Sequence, residues 1–442
     1  MKRRISLLLV MLIAISILSG CGASKDTADN GSDAVKTNES DNIDKKSNSK
    51  KITLDYWTLF SGGDGEFMQS MVDDWNKENP DVQVKNLKLE WGEYYTKLMT
   101  SIAANKGPDI GISHSTKLPE LVNEGVVASL DEYAKNSGVE WADFNETILN
   151  SVKIDGKYYA IPLDVHPQVL FYNKKICKEA GVLDENDNLK IEDGWDNFVN
   201  LLTDLKGKLP NDVAPFSFST TGDDPYRWWW LMYFQMGGSP LISEDGKSVT
   251  MNVDKAIEAA EKLKSLYYEH EVIPLNIEDF YKHFQSGQGA IFSSGVWCTG
   301  NFEQMKDFEF GVRPIPQFFD KPADWGDSHT LILCQKSKMD VTRAESAVKF
   351  MNFIADSGMT WSNAGHVPAK ETVIESEEFK KLPYRNDYVK VANTVVYPTH
   401  STKNWPIKDV IIRNLDTIWT NNAAPQEAID KMIKEIEEII KG

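Results

Sequence analysis

From residue 51 onward the chain alternates strand-like and helix-like segments, which restricts it to an α/β architecture begun on a parallel sheet. Ile52-Thr53-Leu54-Asp55-Tyr56-Trp57 alternates apolar and polar side chains as a strand does, and Gly62-Gly63-Asp64-Gly65 follows as a loop. Phe67, Met68, Met71, Val72 and Trp75 then recur at helical spacing until Asn79-Pro80 stops the helix. Val82 to Leu89 reads as a second strand. Further along, Ala256, Ala260, Leu263 and Tyr267 share one helix face. Thr342-x-x-Glu345 reads as a capping box ahead of Ala347, Val348, Met351 and Ile354. A last helix follows Pro425, with Ala428, Met432, Ile436 and Ile440 inward. No repeat of solenoid period is visible, and no polar linker divides residues 51–442, so two lobes would be joined by ordered crossings.

The alternation does not begin at residue 1. Lys2, Arg3 and Arg4 precede an apolar run from Ile5 to Leu18, too short for an ordinary membrane-spanning helix, so residues 1–20 read as a signal peptide. Leu18-Ser19-Gly20-Cys21 resembles a bacterial lipobox, which implies cleavage before Cys21 and a diacylglycerol on its sulfur. Residues 22–50 are nearly free of apolar side chains and cannot offset their ordering entropy. Segment 21–50 is therefore expected to be a lipidated Cys with a disordered tether, residues 22–50 having a span of about 30 Å. That holds a folded domain just off the outer face of a membrane, an arrangement suited to a Gram-positive cell.

Charge narrows the partners. With 66 acidic against 48 basic residues the formal charge is -18, and loss of the signal's three cations makes it -21. Such a chain lacks the Lys and Arg excess that binds nucleic acid or anionic lipid, so membrane contact is expected through the lipid anchor only. With Cys21 lipidated, Cys177, Cys298 and Cys334 remain, an odd number without Cys-x-x-Cys spacing. They read as small buried hydrophobes, a Cys298–Cys334 pair remaining open. His114, His166, His270, His283, His329, His366 and His400 show no i, i+4 pair, and neither a metal site nor a cofactor is expected. Gly-x-Ser-x-Gly, a Walker loop and His-Glu-x-x-His are absent, so the chain is not expected to be an enzyme. A glycosidase carboxylate pair is the open alternative, because its spacing is a three-dimensional property.

Thirteen Trp in so polar a chain must be core or contact surface. Trp75, Trp141, Trp195 and Trp419 read as core. Trp57 before the Gly-rich loop, Tyr226 and Trp230 after the Gly222-Asp223-Asp224-Pro225 turn, Trp297, Trp325 and Trp361 sit where loops are expected. Carbohydrate recognition explains the mixture physically: an aromatic face covers the C–H face of a pyranose, and neighbouring polar groups pair its hydroxyls. Trp57 with Asp64, Trp325 with Asp327 and His329, and Tyr226 with Asp224 and Arg227 combine both types.

Several segments, in order, resemble the carbohydrate-binding lipoproteins of ABC importers, the group that includes maltose-binding protein. They are Thr53 to Gly62, Gly107-Pro108-Asp109-Ile110, Tyr159 to Asp164 with Leu170 to Lys174, Phe284 to Trp297, and Gly365-His366-Val367-Pro368-Ala369. The resemblance implies a two-lobed, periplasmic-binding-protein-like fold of type II. Its three crossings would lie near 164–168, 326–330 and 366–370. One lobe would be 51–165 plus 329–367, and the other 166–328 plus 368–442. It implies an extracellular, monomeric protein that closes on a di- to tetrasaccharide and delivers it to an ABC permease. Trp297 falls on the family's stacking Trp, and Ser61 lies in its ligand loop. Tyr226 and Trp230 fall near aromatics of the second lobe, while Asp164 and His166 lie on the first crossing. Ser113 and His114 would face the cleft, and Asp109 would be structural. The rival readings are a binding protein for a polyamine or another non-sugar solute, and a lipid-anchored glycosidase or carbohydrate-binding protein.

Overall fold

The computed structural model describes residues 51–442. The signal peptide, Cys21 and the tether lie outside the described residues. Strand β1 (Ile52–Thr58) pairs in parallel with β2 (Val82–Lys88) and with β3 (Ile110–His114). Leu54 and Tyr56 are buried while Thr53 and Asp55 are exposed, so the period-two pattern of β1 points one face at the core. Met68, Met71, Val72 and Trp75 of the helix Gly65–Glu78 cover that face. Asn79 closes the helix: its backbone N–H and its side-chain amide both donate to the Trp75 carbonyl.

Strands β4 (Ala160–Pro162) and β5 (Asp164–Asn173) follow, then β6 (Ala214–Ser217), β7 (Gly289–Gly295) and β8 (Phe310–Arg313). The last three are β9 (Gly326–Asp327), β10 (His329–Leu333) and β11 (Val367–Pro368). The first sheet has the order β2-β1-β3-β10-β4 and the second β8-β5-β7-β6. β5 is buried along its whole length, and its first residues carry two short partners. Asp327 pairs with His166 and Gly326 with Pro167, while Val367 pairs with Val165 and Pro368 with Asp164. Three distant chain segments are thus stitched at one place between the sheets.

Two buried apolar clusters form the core, one around Tyr56, Leu98, Ile112 and Met351, the other around Phe198, Trp228, Leu263 and Ile429. The first continues past the stitched segments to Phe171, Phe292 and Phe302. Trp75, Trp195 and Trp419 are core; Trp141 is only half-buried, stacked on Tyr158 at 4.1 Å. Cys177, Cys298 and Cys334 are free and buried, so Cys298 and Cys334 do not pair. Among the described residues no helix is long and apolar enough to cross a membrane.

Two local readings are corrected. The helix Val341–Asp356 is capped by Asp340, whose carboxylate accepts from the Arg343 N–H at 2.9 Å, so Thr342 lies inside the first turn. The aromatic run after Gly222 is no loop but the helix Asp223–Gln235, and Trp228, Trp229 and Trp230 are all buried in it. Each indole N–H finds an acceptor: Ser293 Oγ at 2.8 Å, the Ala256 carbonyl at 2.9 Å and the Val396 carbonyl at 3.0 Å respectively.

Candidate ligand-binding site

Parallel strands of an α/β sheet leave a crevice beyond their carboxyl ends, and ligands bind there. Both sheets point such ends at one cavity of about 300 Å³. From the first sheet come Phe60, Ser61 and Asp64 after β1, Trp91 after β2, and His114 at the end of β3. His329, the register partner of His114, joins them from β10. From the second come Ser219, Thr221, Asp224 and Arg227 after β6, Trp297 after β7, and Tyr281. His166 of β5 closes the floor.

Glycines let Trp297 reach the cavity. A Cβ on Gly300 would lie 2.4 Å from the Asn363 carbonyl oxygen. One on Gly365, held at φ +116°, would lie 2.0 Å from the Val296 carbonyl oxygen. The turn Val296–Cys298 therefore sits directly against Gly365-His366. The Arg227 guanidinium lies over Trp297 at 5.1 Å and over Trp325 at 4.3 Å, and pairs with Asp224 at 3.1 Å.

Beneath the floor lies Asp164, fully buried. It accepts from the backbone N–H of His329 at 2.9 Å and from Trp361 Nε1 at 2.7 Å. His166 Nδ1 and His329 Nδ1 approach it at 2.9 and 2.8 Å. Burial alone would raise its pKa; the surrounding histidines outweigh this and hold it well below the usual carboxylate range. Burial, with His329 adjacent, pushes His166 down to about 3. His366 moves the other way, to about 9, because Asp164 and Asp64 outweigh the opposing effect of burial. Burial pushes His114 well below the ordinary imidazole value, so it is a neutral hydrogen-bonding group, with Nδ1 2.7 Å from Tyr95 Oη. At the second sheet's edge burial raises Asp224. Asp223, opposed by burial but held by Lys408 at 2.8 Å and by Arg227, sits at about 2.

Of the residues singled out in the sequence, Ser61, Asp64, His114, His166 and Trp297 line this cavity, as do Asp224, Arg227 and His329. The others do not. Trp57 packs along β1 between β2 and β3, with Lys97 over its ring at 5.9 Å. Tyr226 and Trp230 point instead into a separate cavity of about 340 Å³. Trp325 backs Arg227. Asp327 accepts from Ser115 Oγ at 2.8 Å and Thr116 Oγ1 at 2.5 Å, which ties β9 to the first sheet. Trp361 is fully buried, stacked on His366 at 4.3 Å, and Asp164 lies below the surface. Ser113 is buried, with its hydroxyl on the His114 carbonyl, and Asp109 is structural, gripped by Arg343 Nε at 2.7 Å. Phe60, Trp91 and Tyr281 were not singled out. Trp91 was reachable, since it opens the helix just past β2, where a parallel sheet places ligand contacts.

A family model for bacterial extracellular solute-binding proteins matches residues 61–360. The chain is a bacterial extracellular solute-binding protein. Arabinooligosaccharide-binding protein of Bacillus subtilis (strain 168) is 22% identical to this solute-binding protein, over 99% of each chain. A second arabinooligosaccharide-binding protein, from Halalkalibacterium halodurans, is 26% identical over 74% of each. Among solved structures, the ABC substrate-binding protein of Listeria monocytogenes in complex with cycloalternan superposes with a TM-score of 0.76. It is 22% identical, covering 88% of this chain and 98% of that one, a likeness of the two-lobed fold.

Proposed function

We propose that this solute-binding protein captures a short oligosaccharide, a di- to tetrasaccharide, and delivers it to the transmembrane subunits of an ABC importer. The observation that carries the reading is the chemistry of the cavity. Trp91, Tyr281 and Trp297 offer aromatic faces, and Asp64 Oδ1 is buried without a hydrogen-bond partner. A sugar hydroxyl supplies the missing donor while its C–H face covers a ring. A volume of about 300 Å³ suits the short end of the range. The arabinooligosaccharide-binding relatives support the class of ligand.

The contact set comprises Ser61, Asp64, His114, His166 and Trp297, with Trp91, Tyr281 and Arg227 added. The lobes are 51–165 plus 329–367 and 166–328 plus 368–442, hinged where β9 and β11 meet β5. Ligand bridging both lobes shifts an open–closed equilibrium by its greater affinity for the closed state. The protein acts as a monomer held at the outer membrane face through lipidated Cys21. A polyamine fits less well: Lys408 and Arg227 already neutralise Asp223 and Asp224, leaving Asp64 to face a dication. No catalysis is expected, and incubation with a bound sugar should release no reducing ends. Calorimetric titration against arabino-, malto- and chito-oligosaccharides tests the proposal; absence of binding by every sugar refutes it.

A further inference from the structure

Four metal-ligating side chains converge where the three segments are stitched. Asp164 and His166 stand two apart on β5 and so share a face. His329 opens β10, and His366 immediately precedes β11. All four are buried, and one ligand-type atom from each lies within 4.8 Å of the others.

The carboxylate at their centre is oversubscribed. It offers about four lone-pair positions. Five nitrogens crowd it. Oδ1 meets His166 Nδ1 at 2.9 Å and the His329 backbone N–H at 2.9 Å. Oδ2 meets His329 Nδ1 at 2.8 Å, Trp361 Nε1 at 2.7 Å and His366 Nδ1 at 3.1 Å. His366 Nδ1 is left buried with no hydrogen bond. Two of these donors, the Trp361 indole and the His329 backbone, already hold the carboxylate in place. The three imidazoles are then more nitrogens than one carboxylate satisfies.

We propose that Asp164, His166, His329 and His366 bind one divalent transition-metal ion of the zinc class. Three imidazole nitrogens and a carboxylate oxygen favour zinc, copper, iron or nickel over magnesium and calcium. Tetrahedral zinc, with bonds of about 2.0–2.1 Å, sets its ligand atoms about 3.3 Å apart. His329 Nδ1 and His366 Nδ1 lie 2.8 and 3.1 Å from Oδ2 and need open by only a few tenths of an ångström, while His166 Nδ1, 2.9 Å from Oδ1, completes a set of ligand atoms within 4.8 Å of one another. The outer contacts are those that orient metal ligands. Trp361 and the His329 N–H hold Asp164, while His366 Nε2 lies 3.4 Å from Asp64 Oδ2. Because the ligands come from all three stitched segments, the ion ties the junction between the sheets directly beneath the ligand cavity.

The test is a Co²⁺ titration of the full chain after chelator treatment, read by visible d–d absorption and by Tm. One equivalent should saturate the bands, Zn²⁺ should displace it, and Zn²⁺ should raise Tm. His366→Gln and His329→Gln should each abolish the bands. Saturation unchanged in both variants would place the ion elsewhere and overturn the proposal. Should either variant fail to fold, the unsubstituted chain decides. No absorption and no Tm shift with Co²⁺, Zn²⁺, Cu²⁺ or Ni²⁺ overturns it and leaves His366 as a protonated link between Asp64 and Asp164. The readout involves no sugar, so it stands or falls apart from the proposed transport function.

Discussion

Trp297 is the residue on which the binding proposal turns. It is partly exposed and lines the cavity. Its indole N–H reaches Tyr281 Oη at a long 3.4 Å, and Arg227 retains both Trp325 and Asp224 when Trp297 is gone. Trp297 also packs on both apolar clusters and edge-on to His166 at 5.8 Å, so Trp297→Ala carries a structural penalty of its own, which the urea midpoint measures. The binding penalty is separate, because an aromatic face stacked on a ring contributes about 1–3 kcal/mol. That corresponds to a five- to 150-fold weaker Kd, at about 1.4 kcal/mol per tenfold. Trp297→Phe keeps a face and loses only the weak N–H contact, so it should cost about 1 kcal/mol or less. Calorimetry of both variants against the tightest sugar of the panel, with urea midpoints alongside, separates the two effects. Unchanged affinity in Trp297→Ala refutes the placement of Trp297 against the sugar. Equal weakening in the Ala and Phe variants refutes stacking as the cause.

Three further outcomes are expected. Burial raises Asp324 to about 6 from 3.8, and its carboxylate accepts from Thr394 Oγ1 at 2.7 Å. The native state thus binds the proton more tightly than the unfolded chain, and stability falls as pH rises from about 4 to 6. Asp324→Asn should be neutral at pH 4 and stabilising at pH 7 by up to about 3 kcal/mol, measured by urea unfolding. Equal effects at both pH values would contradict it. Gly365→Ala combines a left-handed φ with a Cβ driven into the Val296 carbonyl, so soluble protein with a native near-ultraviolet CD spectrum should not be recovered. The three buried thiols should resist a thiol-specific dye until urea unfolds the chain, since burial pushes Cys177 and Cys334 up to about 12; rapid native labelling would disprove that.

The opening β1–helix–β2 unit was legible because its signals are local: period two in Leu54 and Tyr56, period 3.6 from Met68 to Trp75, and a stop at Asn79-Pro80. Site residues were harder, since which way a side chain points depends on neighbours far along the chain. Ser61, Asp64 and His114 follow strand ends, where the sheet itself aims them at the crevice. Trp361 instead turns inward because its indole N–H satisfies Asp164, a partner 197 residues distant. The Tyr226-to-Trp230 run reads as loop because it follows the Gly222-Asp223-Asp224-Pro225 turn signal. Gly222, at φ +82°, is the residue before the helix rather than part of a loop, and burial of three indoles follows from the helix being wrapped on all sides. Only Asp164-x-His166 of the His and Asp cluster is a local spacing; strand pairing brings His329 and His366 to it from far along the chain.

The strand order of the first sheet has a consequence for how the chain is made. β10 lies between β3 and β4, and Thr330 reaches the carbonyl of Ser113, 217 residues earlier. A chain arriving N-terminus first therefore presents β3 with an open edge, and β4 with nothing to pair to, until residues beyond 330 appear. Contacts so distant in sequence form slowly. The same topology that assembles the cavity wall leaves the first sheet incomplete for most of the chain's synthesis.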